Sequence, residues 1–479
     1  MKIIVKKGDV LSYDGDAIII PVFEQKSGVL DALDKACNNA LVQGWKAESG
    51  KLLCTKTLGV ITPKHVVIVG LGARDKADSS LVKNMIAKAA QQCRSLDVKR
   101  VGVYVEPGVE YLNATAVVLG LELGLYEYGM YKTDKSKIKR IEEIALYAKV
   151  GDKDIKEARC IARATNFVKD LVNTPPLQKT TMVMEQWARS LTASGVDVQV
   201  WNKKELEKHK MGGILAVSRG ASDPPKLLIL KYLKGKGKPT VLVGKGITFD
   251  TGGLNIKTGP HMKTMKMDMA GAATVLGALK AISELGLRVN IIGLVPTCEN
   301  AVSKDSYHPD DIVTTYSGKT VEIVNTDAEG RIILADALSY ACQCKPKQII
   351  DFATLTGAML VALGHEAAGV FAKKKDRSLV DALVDAAEIS TDRVWPMPLY
   401  DEYIEAMKGD ISDLKNLADA RWAGSATAAG FLSNFVEENA WAHLDIAGTA
   451  YFDKSVGYRQ KGATGFGVHL MVEFFKNMQ

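Results

Sequence analysis

The chain has 479 residues, of which 47% are hydrophobic and 24% charged, and carries a formal net charge of +7. That length exceeds one ordinary domain, and the composition builds sizeable cores, so two domains are expected that need no disulfide or metal to fold. Spread over this length, the positive excess is mild; it admits nucleic-acid binding without demanding it.

The N-terminus, MKIIVKKGDVLSYDGDAIIIPVF, has apolar runs broken by charges and glycine. They are shorter than a signal-peptide core, and no later stretch approaches a membrane span, so a cytoplasmic location is expected. The seven cysteines (37, 54, 93, 160, 298, 342 and 344) are odd in number and irregularly spaced, which points to reduced thiols.

In chain order, Ile18–Val22 and Val66–Val69 are short apolar runs that suit buried strands. Leu81–Cys93 has helical spacing, with Ser79 and Ser80 as candidate caps. Val101–Val105 reads as a strand, Ala116–Tyr126 as a helix and Ile144–Tyr147 as a strand. This alternation suggests a smaller N-terminal α/β domain over residues 1–151. Gly70-Leu71-Gly72 lacks the third glycine of a dinucleotide fingerprint, since Asp75 stands there, and reads as a turn. Lys132, Lys135, Lys137, Lys139 and Arg140 form a basic stretch of the kind that is usually a solvated loop. A helical pattern over Asp152–Val172 ends at Asn173-Thr174-Pro175-Pro176, where two prolines stop it. Residues 152–176 are therefore taken as the connection.

Residues 177–479 form the larger domain. Leu227–Leu230, Thr240–Val243, Val289–Leu294, Val321–Val324 and Gln348–Phe352 read as strands; Asp268–Leu285 and Ala328–Cys342 read as helices. The expected architecture is a mixed, mostly parallel sheet flanked by helices.

Three segments of this domain carry chemistry. GKGITFDTGGLNIK, from Gly244 to Lys257, follows a strand directly, where α/β sheets place ligands. Asp268 stands at a helix start, where it could equally be a cap. In Asn325-Thr326-Asp327-Ala328-Glu329-Gly330-Arg331 two carboxylates and an arginine cluster at a strand–helix joint. If the segments meet, Asp250, Asp268, Asp327 and Glu329 repel one another, and some must take up protons or cations. Carboxylate oxygens suit Mg²⁺, Mn²⁺ and Zn²⁺, and bridging carboxylates can hold two ions about 3.5–4 Å apart. His261 lies nearby and is read as a loop residue. Lys245, from its residue type alone, reads as a surface or anion-binding lysine.

The run NTDAEGR resembles the signature of the leucyl aminopeptidases, the cytosol aminopeptidase family. KGITFDTGGLNIK, MKMDMAGAA, YHPDD, SGKTVEIVNTDAEGR, DFATLTGA, RWAG and WAHLDIAGTA follow in the family order from about Asn173 onward. The resemblance implies a two-metal aminopeptidase acting on peptides with a leucine-like N-terminal residue. One ion would sit among Lys245, Asp250, Asp268 and Glu329, the other among Asp250, Asp327 and Glu329. Lys257 would stabilise the oxyanion, and Arg331 would hold a bicarbonate ion acting as general base. Met265, Thr354, Ala447 and Ala450 match positions near the substrate pocket. The ions would be Zn²⁺ or Mn²⁺, with Mg²⁺ admitted by the same donors, and the assembly a homohexamer. Leu177, His308 and Asp310 depart from the family pattern, outside the metal set. Two alternatives stand beside this reading: another two-metal hydrolase, such as one acting on phosphate esters, and a secondary DNA-binding role resting only on the net charge and the basic stretch.

Overall fold

A computed structural model describes residues 1–25, 27–39, 41, 45–136 and 138–478. The chain divides into two compact units, Met1–Arg163 with Asp453–Lys461, and Ala164–Phe452 with Gly462–Gln479. The division falls inside the single helix Asp152–Asn173. Asp453–Lys461, placed by sequence in the second domain, belongs instead with the first.

The first unit is built on a six-stranded sheet in the order Lys2–Lys6, Glu143–Tyr147, Arg100–Tyr104, Ala17–Val22, His65–Gly70, Leu52–Lys56. Only the last strand runs antiparallel to its neighbour. The central strand Ala17–Val22 is buried along its whole length, which explains its unbroken apolar run. Helix Ser79–Ser95 is capped by Asp78, which accepts from Leu81 N–H at 2.7 Å; neither Ser79 nor Ser80 does so. The helix expected over Ala116–Tyr126 runs Ala114–Gly124, two residues earlier, because Asn113 caps it. The strand His65–Gly70 ends at Gly70, beside the backbone of Glu48, and passes into an irregular segment in which Gly72 has φ of 72°. In the basic stretch Lys132 pairs with Glu127 and Lys139 bonds the Ser95 carbonyl, both on the surface; Lys137 lies outside the described residues.

The second unit holds a nine-stranded mixed sheet. Its order is Val394–Pro396, Ala368–Phe371, Trp441–Asp445, Gln348–Ala353, Thr240–Gly244, Asn290–Asn300, Lys226–Leu233, Asp197–Trp201, with Gly246–Asp250 alongside Asn290–Asn300. Trp441–Asp445, Gln348–Ala353, Thr240–Gly244 and Asn290–Asn300 are mutually parallel and almost wholly buried. Alternate residues face opposite sides. Val241, Val243 and Ile349 join an apolar cluster with Ile332, Ile333 and Leu338 of helix Glu329–Gln343, whereas the equally buried Leu242 and Ile350 lie outside it. The strand expected over Val321–Val324 is Thr320–Glu322, and it belongs to a separate three-stranded sheet with Ile312–Thr314 and Leu414–Lys415. The helix expected from Asp268 begins at Ala270.

Among the described residues all seven cysteines are free, and no helix is long and apolar enough to cross a membrane.

Asp336, fully buried on helix Glu329–Gln343, accepts from Ile214 N–H at 2.9 Å and Tyr316 N–H at 2.7 Å, and so ties the short helix Gly212–Val217 and the loop at Tyr316 to the core. Asp336→Ala strands both donors and should cost about 2–4 kcal/mol. Chemical denaturation of Asp336→Ala beside Asp336→Asn, which keeps one acceptor, measures this; equal midpoints for both variants and the parent would refute it.

Candidate metal centre

The centre begins with a break in a strand. Thr240–Val243 and Gly246–Ile247 keep one register against Asn290–Asn300 on both sides of Lys245. At the break Lys245 N–H donates to the Phe352 carbonyl at 3.0 Å, and its own carbonyl accepts from Ala272 N–H at 2.9 Å. Its side chain runs into the interior, 3% exposed, so the reading as a surface or anion-binding lysine is corrected. The Lys245 ammonium lies 2.8 Å from Asp268 Oδ2 and 2.9 Å from Glu329 Oε1, and donates to the Thr354 carbonyl at 3.1 Å. Gly330 makes this possible: a Cβ there would stand 2.4 Å from Lys245 Cε.

Five residues further on, Asp250 ends the strand at a bulge. Its Oδ1 accepts from Gly252 N–H and from Asn300 Nδ2, each at 2.8 Å, which leaves Oδ2 for Lys257 at 2.8 Å. Gly252 and Gly253 turn the chain back with φ of 88° and 64°, values that suit glycine. Lys257 thereby also reaches Asp327 Oδ1 at 2.6 Å.

The capping readings of the two ambiguous aspartates fail. Asp268 follows the short turn Met265–Met267, and its Oδ1 accepts from Thr354 Oγ1 at 2.8 Å. Asp327 precedes helix Glu329–Gln343, whose first N–H groups receive no side-chain cap. Both side chains point to the cluster instead.

Four carboxylates therefore share this site with two ammonium groups, an excess of negative charge in a largely dry place. Burial, with the charges of Asp250 and Glu329, pushes the Asp327 carboxyl up to about 7 against the pull of Lys257. Asp268 and Glu329 are raised as well, chiefly by burial and by neighbouring carboxylates. Burial works against the charge on Lys245 and Lys257, yet the carboxylates outweigh it and hold both above the usual lysine range. Asp250, Asp327 and Glu329 each offer an oxygen within 4.8 Å of the others. Asp268 Oδ2, Asp327 Oδ1 and Glu329 Oε1 are buried and accept no well-aligned hydrogen bond despite the nearby ammonium groups. Converging hard oxygens left short of donors are what a divalent cation requires, so the residue set fits metal.

Arg331 is 5% exposed; its Nη1 donates to the Asn416 carbonyl at 2.7 Å and its Nε has no partner. Burial lowers its pKa to about 10, opposed by Glu329 and Asp445. Of the pocket candidates, Thr354 is buried against Asp268, Ala450 is buried, and Met265 and Ala447 are half-buried. Asp445 Oδ1 accepts from both Leu355 N–H and Ala447 N–H, so the segments carrying Thr354 and Ala447 are tied together. His261 is exposed, as a loop residue would be, and Leu177 and His308 are exposed too.

Residues not singled out from sequence hold the carboxylate turn in place. Asn416 Oδ1 accepts from Val324 N–H at 2.8 Å and Asn325 N–H at 3.2 Å, while its Nδ2 donates to the Asn325 carbonyl at 2.7 Å. Tyr307 Oη donates to the Thr326 carbonyl at 2.7 Å. An isolated asparagine or tyrosine carries no such signal, because its partners are backbone groups distant in sequence.

Against known proteins, the model of the cytosol aminopeptidase family catalytic domain matches residues 166–472, and that of the family's N-terminal domain matches residues 19–135. The chain belongs to the cytosol aminopeptidase family. It is a metal-dependent hydrolase, an exopeptidase. A probable cytosol aminopeptidase of Geobacter sp. (strain M21) is 40% identical over 99% of this chain and 100% of its own length. One from Cenarchaeum symbiosum is 40% identical over 90% of this chain and 89% of its own. A mutant of tomato leucine aminopeptidase superposes with a TM-score of 0.89 at 33% identity, covering 100% of this chain and 96% of that one. The bottromycin maturation enzyme BotP, in complex with Mn, gives 0.87 at 28% identity, covering 97% of this chain and 99% of that one. The two-domain α/β architecture expected from sequence is the architecture of this family.

Asn416→Ala should weaken divalent-metal binding about 10–100-fold, the usual effect of removing a group that orients a ligand-bearing segment. Titration of the metal-stripped protein with Mn²⁺ reads this directly, and unchanged affinity would count against the role given to Asn416.

Proposed function

We propose that this aminopeptidase releases N-terminal residues, leucine-like ones preferred, at a centre of two divalent ions. The observation that carries the reading is the convergence of Asp250, Asp268, Asp327 and Glu329 with Lys245 at the C-terminal ends of parallel strands. Lys245, Asp250, Asp268 and Glu329 would hold one ion; Asp250, Asp327 and Glu329 would hold the other. Bound there, the ions supply an activated water at neutral pH and a Lewis acid for the scissile carbonyl. Zn²⁺ and Mn²⁺ are the proposed metals, and the Mn complex of BotP supports the class.

Lys257, tethered between Asp250 and Asp327, presents a positive charge where the carbonyl oxygen becomes an oxyanion. Arg331, with its Nε unpartnered, would hold the planar bicarbonate that serves as general base. Met265, Thr354, Ala447 and Ala450 would line the pocket for the N-terminal side chain. Thr354 meets Asp268 through its hydroxyl, which leaves its methyl group as the apolar surface it can offer. The proposed setting is a cytoplasmic homohexamer acting on peptides, which sedimentation tests directly.

Hydrolysis of an amino-acid anilide but of no phosphate ester, abolished by chelation and restored by Zn²⁺ or Mn²⁺, is the expected result. Failure to cleave any N-terminal residue with those ions present would overturn the reading. Asp327→Ala should lose both metal and activity. Lys257→Met should lower kcat about 10²–10³-fold, the range for loss of one oxyanion donor, with little change in KM.

Lys245 ligates only as the neutral amine, yet without metal its surrounding carboxylates keep it protonated. Ion uptake should therefore expel protons, and affinity should rise with pH. Calorimetry in two buffers of different ionisation enthalpy measures the release; identical heats in both would argue against Lys245 as a ligand.

A further inference from the structure

A second pair of lysines stands behind the centre. Lys179 is 1% exposed, and among the described residues it has no carboxylate within ion-pairing distance. Burial and the charge of Lys266 push its pKa well below the usual lysine range, with Asp268 pulling the other way. A buried amine without a counter-charge is costly, and an apolar side chain of similar length would avoid that cost.

What the amine contacts accounts for its presence. Helix Asp152–Asn173 ends just before Pro175-Pro176, so its last carbonyls lack partners within the helix. Lys179, just past the prolines, turns back and donates to the Val172 carbonyl at 3.0 Å. The same amine donates to the carbonyl of Lys266. Lys266 in turn donates to the Asn173 carbonyl at 3.0 Å. The result is a closed clamp between the helix end and the turn Met265–Met267. Either protonation state of Lys179 has enough N–H groups for both carbonyls.

That turn sits between two functional residues. Met265 is a candidate pocket wall, and Asp268, whose N–H donates to the Met265 carbonyl at 3.2 Å, is a candidate ligand. We propose that Lys179 is a positioning residue for the aminopeptidase centre: by holding the Lys266 carbonyl at the helix end it sets where Asp268 and Met265 stand. The proposal rests on the metal-site reading above for its effect on activity, but the clamp itself is open to test without metal.

The test uses the full-length, metal-stripped protein, its Lys179→Met variant and Lys266→Met, which breaks the other arm of the clamp. Amide hydrogen exchange over residues 265–269 should accelerate at least tenfold in both variants, with exchange in the first unit unchanged. Mn²⁺ titration should show one of two sites weakened at least tenfold and the other retained. Kinetics should show KM raised along with the loss in kcat, since Met265 shifts with Asp268. Wild-type exchange at 265–269 together with wild-type Mn²⁺ affinity would overturn the proposal. If Lys179→Met fails to fold, Lys179→Gln, whose side-chain nitrogen sits one bond closer to the backbone than the lysine amine, decides by the same measurements. If the parent protein itself takes up no Mn²⁺, the metal reading fails while the exchange rates still decide the clamp.

Discussion

An excess of buried negative charge governs this structure. Asp250, Asp268, Asp327 and Glu329 stand close enough that their mutual repulsion and desolvation must be offset, and the two lysines offset only part of it. A chain gains nothing in stability from such a cluster unless something cationic resides there. Much of the surrounding architecture follows from the need to hold like charges together. Asp250 is fixed by Gly252 and Asn300, Asp268 by Thr354, and the Asp327 turn by Asn416 and Tyr307.

The parallel sheet makes the gathering possible. Strands running the same way end at the same edge, so residues from sequence positions 245–250 and 352–356 meet there although about a hundred residues of chain lie between them. Steric exactness is then supplied by what is missing. Gly330 leaves the volume that the Lys245 side chain fills, and Gly271 lets helix Ala270–Leu285 approach the Phe352 carbonyl, where a Cβ would stand at 2.0 Å. Either site would be closed by a single methyl group.

Carboxylates were legible in the sequence because their clustering in three segments is itself a signal. Strand and helix alternation was legible for the same reason: periodicity is local. Lys245 was not, since nothing in a lysine's neighbours along the chain says whether its side chain turns inward; a strand break decides that. The ambiguous roles of Asp268 and Asp327 needed the true helix starts, Ala270 and Glu329. Asn416 and Lys179 act through backbone carbonyls and N–H groups, which every residue possesses, so their partners leave no mark on residue type. The return of Asp453–Lys461 to the first unit was hidden for another reason: an irregular segment has no period to betray where it packs.

That return bears on modularity. The chain passes between its units three times, at 163/164, 452/453 and 461/462, rather than once. Tyr458 N–H donates to Asn84 Oδ1 at 3.2 Å, so the returning segment is bonded to the helix Ser79–Ser95 that precedes the crossing by some seventy residues. Neither unit is thus a contiguous cassette. A gene fragment beginning at residue 164 would encode the catalytic sheet intact and, within it, a nine-residue span whose hydrogen-bonding partner had been left behind. Recombination between relatives at a single boundary would mismatch that span with a foreign first unit, which ties the two regions of the gene to change together.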